Sequence, residues 1–450
     1  MSKAIDFTEG NIIKKLAVFA VPIVLGELLQ NLYNTVDSMV VGNFVGGYAL
    51  AAVSVCAAIS QLVVGFFNGM SVGASVIVAR FYGAGEPERQ STAMRVTFAF
   101  SVILGVALSI VGILITPWLV GLISIPGEVY REAVIYLRIY LAGIMFTVIY
   151  NVGAGLLRAV GDSRNPFYIL VIVCGLNIVL DLLFVTKFGW GVAGVSIATV
   201  ISQMISVLMV YSCLKKHDPL FRLSFKGLKA ERQIIVNMVG IGMPAGLQNS
   251  LISFSNLFVW RYISGFDAAA MAGVGAAQRI DRFIGLPCKA FGLALTTYIS
   301  QNVGARHYDR LRKGFWYCMG LSLLYLFVTS SVIYVFADES VRLFNSEPDV
   351  VAVGISMMKT ILPFYFLLAF REVCLGALRG YGDTRIPMLL SLLGMVVLRQ
   401  IYLAVAMSVD YGIIHIYICY PLAWGATTAL TFVYYLAVRG RYETAPCEAL

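Results

Sequence analysis

Twelve runs of about twenty predominantly apolar residues follow one another along this chain, each as long as a helix must be to cross the hydrocarbon of a bilayer. They fall at approximately 15–40, 49–79, 95–116, 133–156, 166–186, 191–213, 235–260, 269–300, 314–336, 352–378, 387–409 and 413–437. Inside hydrocarbon every backbone N–H and C=O has to be satisfied within the segment, which makes each run a helix. The pattern predicts an all-α polytopic membrane protein. Composition agrees, with 59% hydrophobic and 13% charged residues and a mean hydropathy of +0.84, where a soluble domain carries about 25% charge.

The net charge of +9 could signal nucleic acid, but the basic residues sit in short loops between apolar runs, so membrane topology explains them and no nucleic-acid partner is expected. An even number of spans puts both termini on one side. Most Lys and Arg residues fall on that side, in the N-terminal segment, the tail and the loops near Arg80–Arg95, Arg158–Arg164, Lys215–Arg232, Arg306–Lys313 and Arg379–Arg385. Only Arg131, Lys187, Arg261 and Arg342 fall opposite, which predicts that both termini are cytoplasmic. Lys14 and Lys15 precede a long apolar run without a small-residue cleavage site, so the first span reads as a retained helix. The eight cysteines form no CxxC pair, which argues against a disulfide framework or zinc site. His217, His307 and His415 are too far apart for a histidine relay.

The chain repeats. GLLRAVGDSRNP (Gly155–Pro166) matches GALRGYGDTRIP (Gly376–Pro387) at an offset of 221, with seven of twelve residues identical. Gly83, Ala84 and Arg89 match Gly304, Ala305 and Arg310 at the same offset, and Pro22 falls opposite Pro244. This predicts an N-lobe over 1–214, a cytoplasmic linker over 215–232 and a C-lobe over 233–450. Each half has an even number of spans, so two six-helix lobes are related by a pseudo-two-fold axis along the membrane normal. Such lobes enclose a central cleft suited to alternating access.

Polar groups at membrane depth are costly and mark function. The fifth span carries Asn177 and Asp181 on one helix face, four residues apart. The first span carries Glu27, Gln30, Asn34 and Asp37 at intervals of three, four and three, again a single face, and Pro22 invites a kink below them. At about 1.5 Å per residue, Asp37, Asp181 and Thr199 of the sixth span all fall in the outer half of the N-lobe. Two carboxylates, an amide and a hydroxyl make a hard-oxygen site for a cation or a proton.

On these features the chain resembles the MATE (multidrug and toxic compound extrusion) transporters of the multidrug/oligosaccharidyl-lipid/polysaccharide flippase superfamily, and within them the DinF-like branch. The resemblance implies a cation site, for H⁺ or Na⁺ and no other cofactor, at Asp37, Asn177, Asp181 and Thr199, with Tyr136 and Asn151 as supporting hydrogen bonders. It implies an antiporter, not an enzyme, that exports small amphipathic drugs or metabolites across the lipid bilayer, functional as a monomer. Two alternatives are a lipid or lipid-linked oligosaccharide flippase of the same superfamily and a non-transporting membrane sensor.

The C-lobe departs from the N-lobe. At the 221 offset Asn177, Asp181 and Thr199 meet Leu398, Tyr402 and Tyr420, so the oxygen set is missing. Its spans instead carry Arg279, Arg282, Lys289, Lys359, Arg371 and Arg399 against Asp281 and Glu372. The expectation is a substrate cavity lined by Glu27, Gln30 and Asn34 with Gln248, Asn249, Gln278, Arg282, Glu372 and Arg399, the basic residues meeting a polar or anionic substrate group; alternatively Glu372 simply pairs with Arg371 or Arg399. GWGVAG (Gly189–Gly194) fits G-x-G-x-x-G but opens a transmembrane helix, which excludes a dinucleotide fold. No Walker A sequence occurs, so ATP is not the direct energy source. Gly65, Gly69 and Gly73 read as a close-packing face.

Overall fold

The computed structural model describes residues 4–121, 127–218, 221 and 231–444. Most of the linker expected at 215–232 therefore lies outside the described residues. Among the described residues the ordered elements are all helices: α1 (Ile12–Phe44), α2 (Gly47–Gly83), α3 (Pro87–Gly121), α4 (Gly127–Ala142 with Ile144–Ala159, bent by 45°), α5 (Arg164–Lys187), α6 (Gly191–His217), α7 (Arg232–Ile263), α8 (Ala268–Gly304), α9 (Tyr308–Val335), α10 (Pro348–Phe364 with Phe366–Gly380, bent by 53°), α11 (Arg385–Val409) and α12 (Ile414–Thr444). A short helix, Ala337–Arg342, joins α9 to α10. Eight of these are long and apolar enough to cross a membrane singly, and the bent pairs α4 and α10 raise the number to ten. With α1 and α7, of 33 and 32 residues, the twelve expected spans are present. The bends of α4 and α10 fall at equivalent points of the two repeats.

The surface chemistry of α3 explains why these helices need a bilayer. Its buried face carries Ser101, Gly105, Ser109, Gly112 and Thr116, whereas Ile103, Ile110, Leu114 and Trp118 point outward. Small residues let backbones approach each other, and the large apolar side chains meet a solvent as apolar as themselves.

The chain forms two compact units. Unit 1 is built from Pro22–Gly246 with the residues up to Asp6, and unit 2 from Phe7–Val21 and the chain from Leu247 onward. The divisions cut α1 at Pro22 and α7 two residues after Pro244, so each proline lies where a continuous helix passes from one unit to the other. In unit 1 the close-packing face of α2 meets the first turns of α7: a Cβ on Gly69 would strike the backbone of Gly246, and one on Gly73 the backbone of Met238 and Gly242.

Inside each unit the repeat uses the same joints. In unit 1 Ser71 Oγ of α2 donates to Asn151 O of α4 at 2.7 Å. In unit 2 Thr296 Oγ1 of α8 donates to Gly376 O of α10 at 2.9 Å. The repeated Gly-Asp loops also have a physical reason. Gly161 and Gly382 adopt φ of 85° and 81°, a left-handed conformation that favours glycine. Asp162 then accepts from the backbone N–H of Arg164 and Asn165 at 3.1 and 3.0 Å, capping α5, and contacts His217 Nε2 at 2.7 Å. Burial alone would push the Asp162 carboxyl up, but the hydrogen bonds from His217 and Asn165 outweigh it and hold it below the ordinary aspartate range.

Candidate functional site

Three helices of unit 1 bring their polar side chains to one place. Asp37 of α1, Asn177 and Asp181 of α5 and Thr199 of α6 are all buried, Asn177 and Asp181 completely. With its nitrogen turned toward the acids, the Asn177 amide donates to Asp37 Oδ1 at 2.9 Å and to Asp181 Oδ2 at 3.3 Å. The two carboxylates are themselves within hydrogen-bonding reach of each other. Thr199 Oγ1 donates to Val195 O at 3.0 Å within its own helix, which leaves the oxygen free as an acceptor.

The structure adds a residue that the sequence did not single out. Tyr33, one turn before Asp37, donates to Thr199 Oγ1 at 3.1 Å and also lies within hydrogen-bonding reach of Asp37. One phenolic hydrogen serves two acceptors, so a charge change on Asp37 decides where it points. Tyr136 of α4 is buried within electrostatic range of both acids and stacks on Tyr140 at 6.3 Å. Asn151 is placed otherwise: its amide donates to Thr147 O at 2.9 Å, a bond inside α4.

The electrostatics of the cluster are uncompensated. Neither acid takes part in an ion pair among the described residues, and Asp181 Oδ1 is buried without a hydrogen-bond partner. Two carboxylates about 4 Å apart repel by about 4 kcal/mol at an effective dielectric of about 20, while a hydrogen bond to a charged group contributes about 1.5–3 kcal/mol. The Asn177 bridge therefore does not offset a second negative charge, whereas a proton or a cation does. A 180° turn of the amide would add its oxygen to those of Asp37, Asp181 and Thr199, giving four hard donors suited to a small cation.

The remaining expected positions are divided between the two units. Glu27 is exposed, in electrostatic range of Arg158 and Tyr150, and Gln30 and Asn34 continue outward along α1. In unit 2 Gln248 donates to Ser391 Oγ at 2.7 Å and accepts from Arg379 at 3.3 Å. Gln278 donates to Tyr420 OH at 2.8 Å, Asn249 is half-buried and Arg282 is exposed. Glu372 pairs with Arg371 at 2.6 Å. Arg399 is completely buried and donates to Ser255 Oγ at 2.6 Å.

The register of the two repeats changes near this arginine. A π-helical turn over Leu393–Leu398 adds a residue to α11, and such insertions gather at functional sites. Beyond it, residues 399–404 repeat the alternation of burial of 177–182 position by position. The offset here is 222, so Arg399 stands where Asn177 stands and the buried Leu403, not Tyr402, takes the place of Asp181. The same offset between α1 and α7 sets Ser255 against Tyr33 and buried Val259 against Asp37. Unit 2 thus replaces both acids by aliphatic side chains and the amide by a guanidinium.

Comparisons with known proteins fit this geometry. The MatE family model matches residues 22–183 and 244–405, one copy in each repeat and again 222 residues apart. The probable multidrug resistance protein YpnP of Bacillus subtilis is 30% identical over 403 residues, covering 89% of this chain and 90% of the relative. The probable multidrug resistance protein YoeA of the same organism is 28% identical over 439 residues, covering 94% and 93%. A solved outward-facing conformation of a multidrug resistance MATE family transporter of the MOP superfamily has the same fold, with a TM-score of 0.91, 24% identity and coverage of 99% of this chain and 100% of that one. With two matched modules spanning most of its length, the chain belongs to the MatE family of membrane transporters.

Proposed function

We propose that the chain is a cation-coupled antiporter that exports small amphipathic drugs or metabolites by alternating access, with Asp37, Asn177, Asp181 and Thr199 as the site of the coupling H⁺ or Na⁺. The observation that carries this reading is a pair of neighbouring, buried carboxylates without a basic partner among the described residues, one oxygen of which has no hydrogen bond. A static structural role would call for a counter-ion; a coupling role calls for a charge that can be filled and emptied. The names of YpnP and YoeA support drugs as the cargo. The lysine and arginine distribution supports a cytoplasmic membrane with both termini inside, and the protein works as a monomer.

In the cycle, the outward-open protein takes a proton or Na⁺ between Asp37 and Asp181. Neutralisation removes their repulsion, Tyr33 releases Asp37 in favour of Thr199, and α1 repacks above Pro22, which displaces the substrate. Inward opening lets the cation leave and restores the repulsion. Coupling is tested by dye flux in proteoliposomes under imposed pH or Na⁺ gradients. Asp37→Asn and Asp181→Asn are each expected to lower gradient-driven flux at least about tenfold, equivalent to about 1.4 kcal/mol. Parental flux in both variants would rule the reading out.

A further inference from the structure

We propose that unit 2 binds a compact anion at Arg399, the place in its repeat that Asn177 holds in unit 1. Arg399 has no exposed surface. Its Nη2 donates to Ser255 Oγ at 2.6 Å, but Nε and Nη1 are buried and have no hydrogen-bond partner. Among the described residues it forms no ion pair, and its electrostatic neighbours are Cys419, Tyr420 and a second guanidinium, Arg371. Arg371 spends one nitrogen on Glu372 at 2.6 Å and another on the thioether of Met395 at 3.6 Å, a weak acceptor. Glu372 thus pairs with Arg371, and two nitrogens of the buried Arg399 guanidinium are left without an oxygen to meet them.

The fold does not demand this arrangement. In unit 1 the equivalent position is a neutral amide, and the buried Val259 and Leu403 stand in unit 2 where Asp37 and Asp181 stand in unit 1. Gln400, next along α11, donates to Ser255 O and Oγ at 3.1 and 3.0 Å, so the serine's lone pairs are already engaged and cannot serve the free nitrogens. A guanidinium presents parallel N–H groups that fit a carboxylate edge or a halide. Such donors fit a free halide or the carboxylate end of a transported solute. The assignment to a solute rests on the transport reading above; anion binding itself does not.

The test is thermal unfolding of the detergent-purified full chain titrated with sodium chloride, bromide or acetate at constant ionic strength. The parent is expected to gain a saturable rise in unfolding temperature that Arg399→Gln abolishes and Ser255→Ala, which keeps the guanidinium, retains. A response without saturation, or the same saturable response in Arg399→Gln, overturns the proposal. If that variant does not fold, anomalous diffraction from bromide-soaked parent crystals decides: a peak at Arg399 supports the site and its absence overturns it. Proteoliposome flux of carboxyfluorescein against a cationic rhodamine separates the two sources. Selective loss of carboxyfluorescein export in Arg399→Gln supports a solute carboxylate, and unchanged selectivity together with the lost chloride response supports a bound halide. Absence of flux of both dyes in the parent would count against the transport reading and leave the anion titration intact.

Discussion

At the residue scale the account turns on how few partners the buried charges have. Tyr33 illustrates it. Its hydroxyl lies between Thr199 and Asp37, so Tyr33→Phe removes the hydrogen bond that follows the charge state of Asp37 while keeping the ring. A hydrogen bond to a charged group contributes about 1.5–3 kcal/mol, and losing it is expected to slow gradient-driven flux by about tenfold or more without loss of folded protein, measured in proteoliposomes against the yield of monodisperse protein. Asn177→Leu is expected to be more harmful, because it leaves both acids without their bridge. Tyr33 escaped sequence reading for a physical reason: a tyrosine is half apolar, so in a run of leucines it raises no signal, whereas Asp37, Asn177 and Asp181 stand out by the cost of burying them. Asn151 shows the converse, since its amide can satisfy itself on its own helix and a polar residue in a span need not reach a site.

At the element scale the joints between helices are testable by filling them. Gly73 has no room for a side chain against Met238 and Gly242, and Gly73→Val is expected to lower stability by about 1–3 kcal/mol, as overpacking does, read as a lower unfolding temperature in detergent. The Asp162 loop makes a pH prediction. Its carboxyl is held below the ordinary value, so it contributes stability above about pH 4 that is lost as pH falls through its folded value. Asp162→Asn is therefore expected to unfold more easily than the parent at pH 7, with the gap closing toward pH 3. Helix positions, the repeat and the glycine packing face were legible in the sequence because they rest on length, identity and residue size. The bends in α4 and α10 and the π-helical turn in α11 were not, because nothing local announces an extra residue in a helix. That single residue moved the counterpart of Asp181 from Tyr402 to Leu403, whereas the pairing of Glu372 with Arg371 was one of the two that the sequence offered.

At the scale of the whole molecule, one ancestral six-helix unit occurs twice with the same joints, the same glycine-aspartate loops and opposite site chemistry. Unit 1 gathers two acids and an amide where unit 2 gathers two aliphatic side chains and a guanidinium. The fold tolerates either, and the proposed reading assigns cation uptake to the oxygen set of unit 1. Direct measurement of cation binding tests that claim without relying on a known substrate. Purified protein in weakly buffered detergent would be titrated for proton uptake and for ²²Na⁺ binding, in the parent, Asp37→Asn and Asp181→Asn. The account predicts about one cation equivalent per chain that is lost in both variants; the same uptake in parent and variants would contradict it.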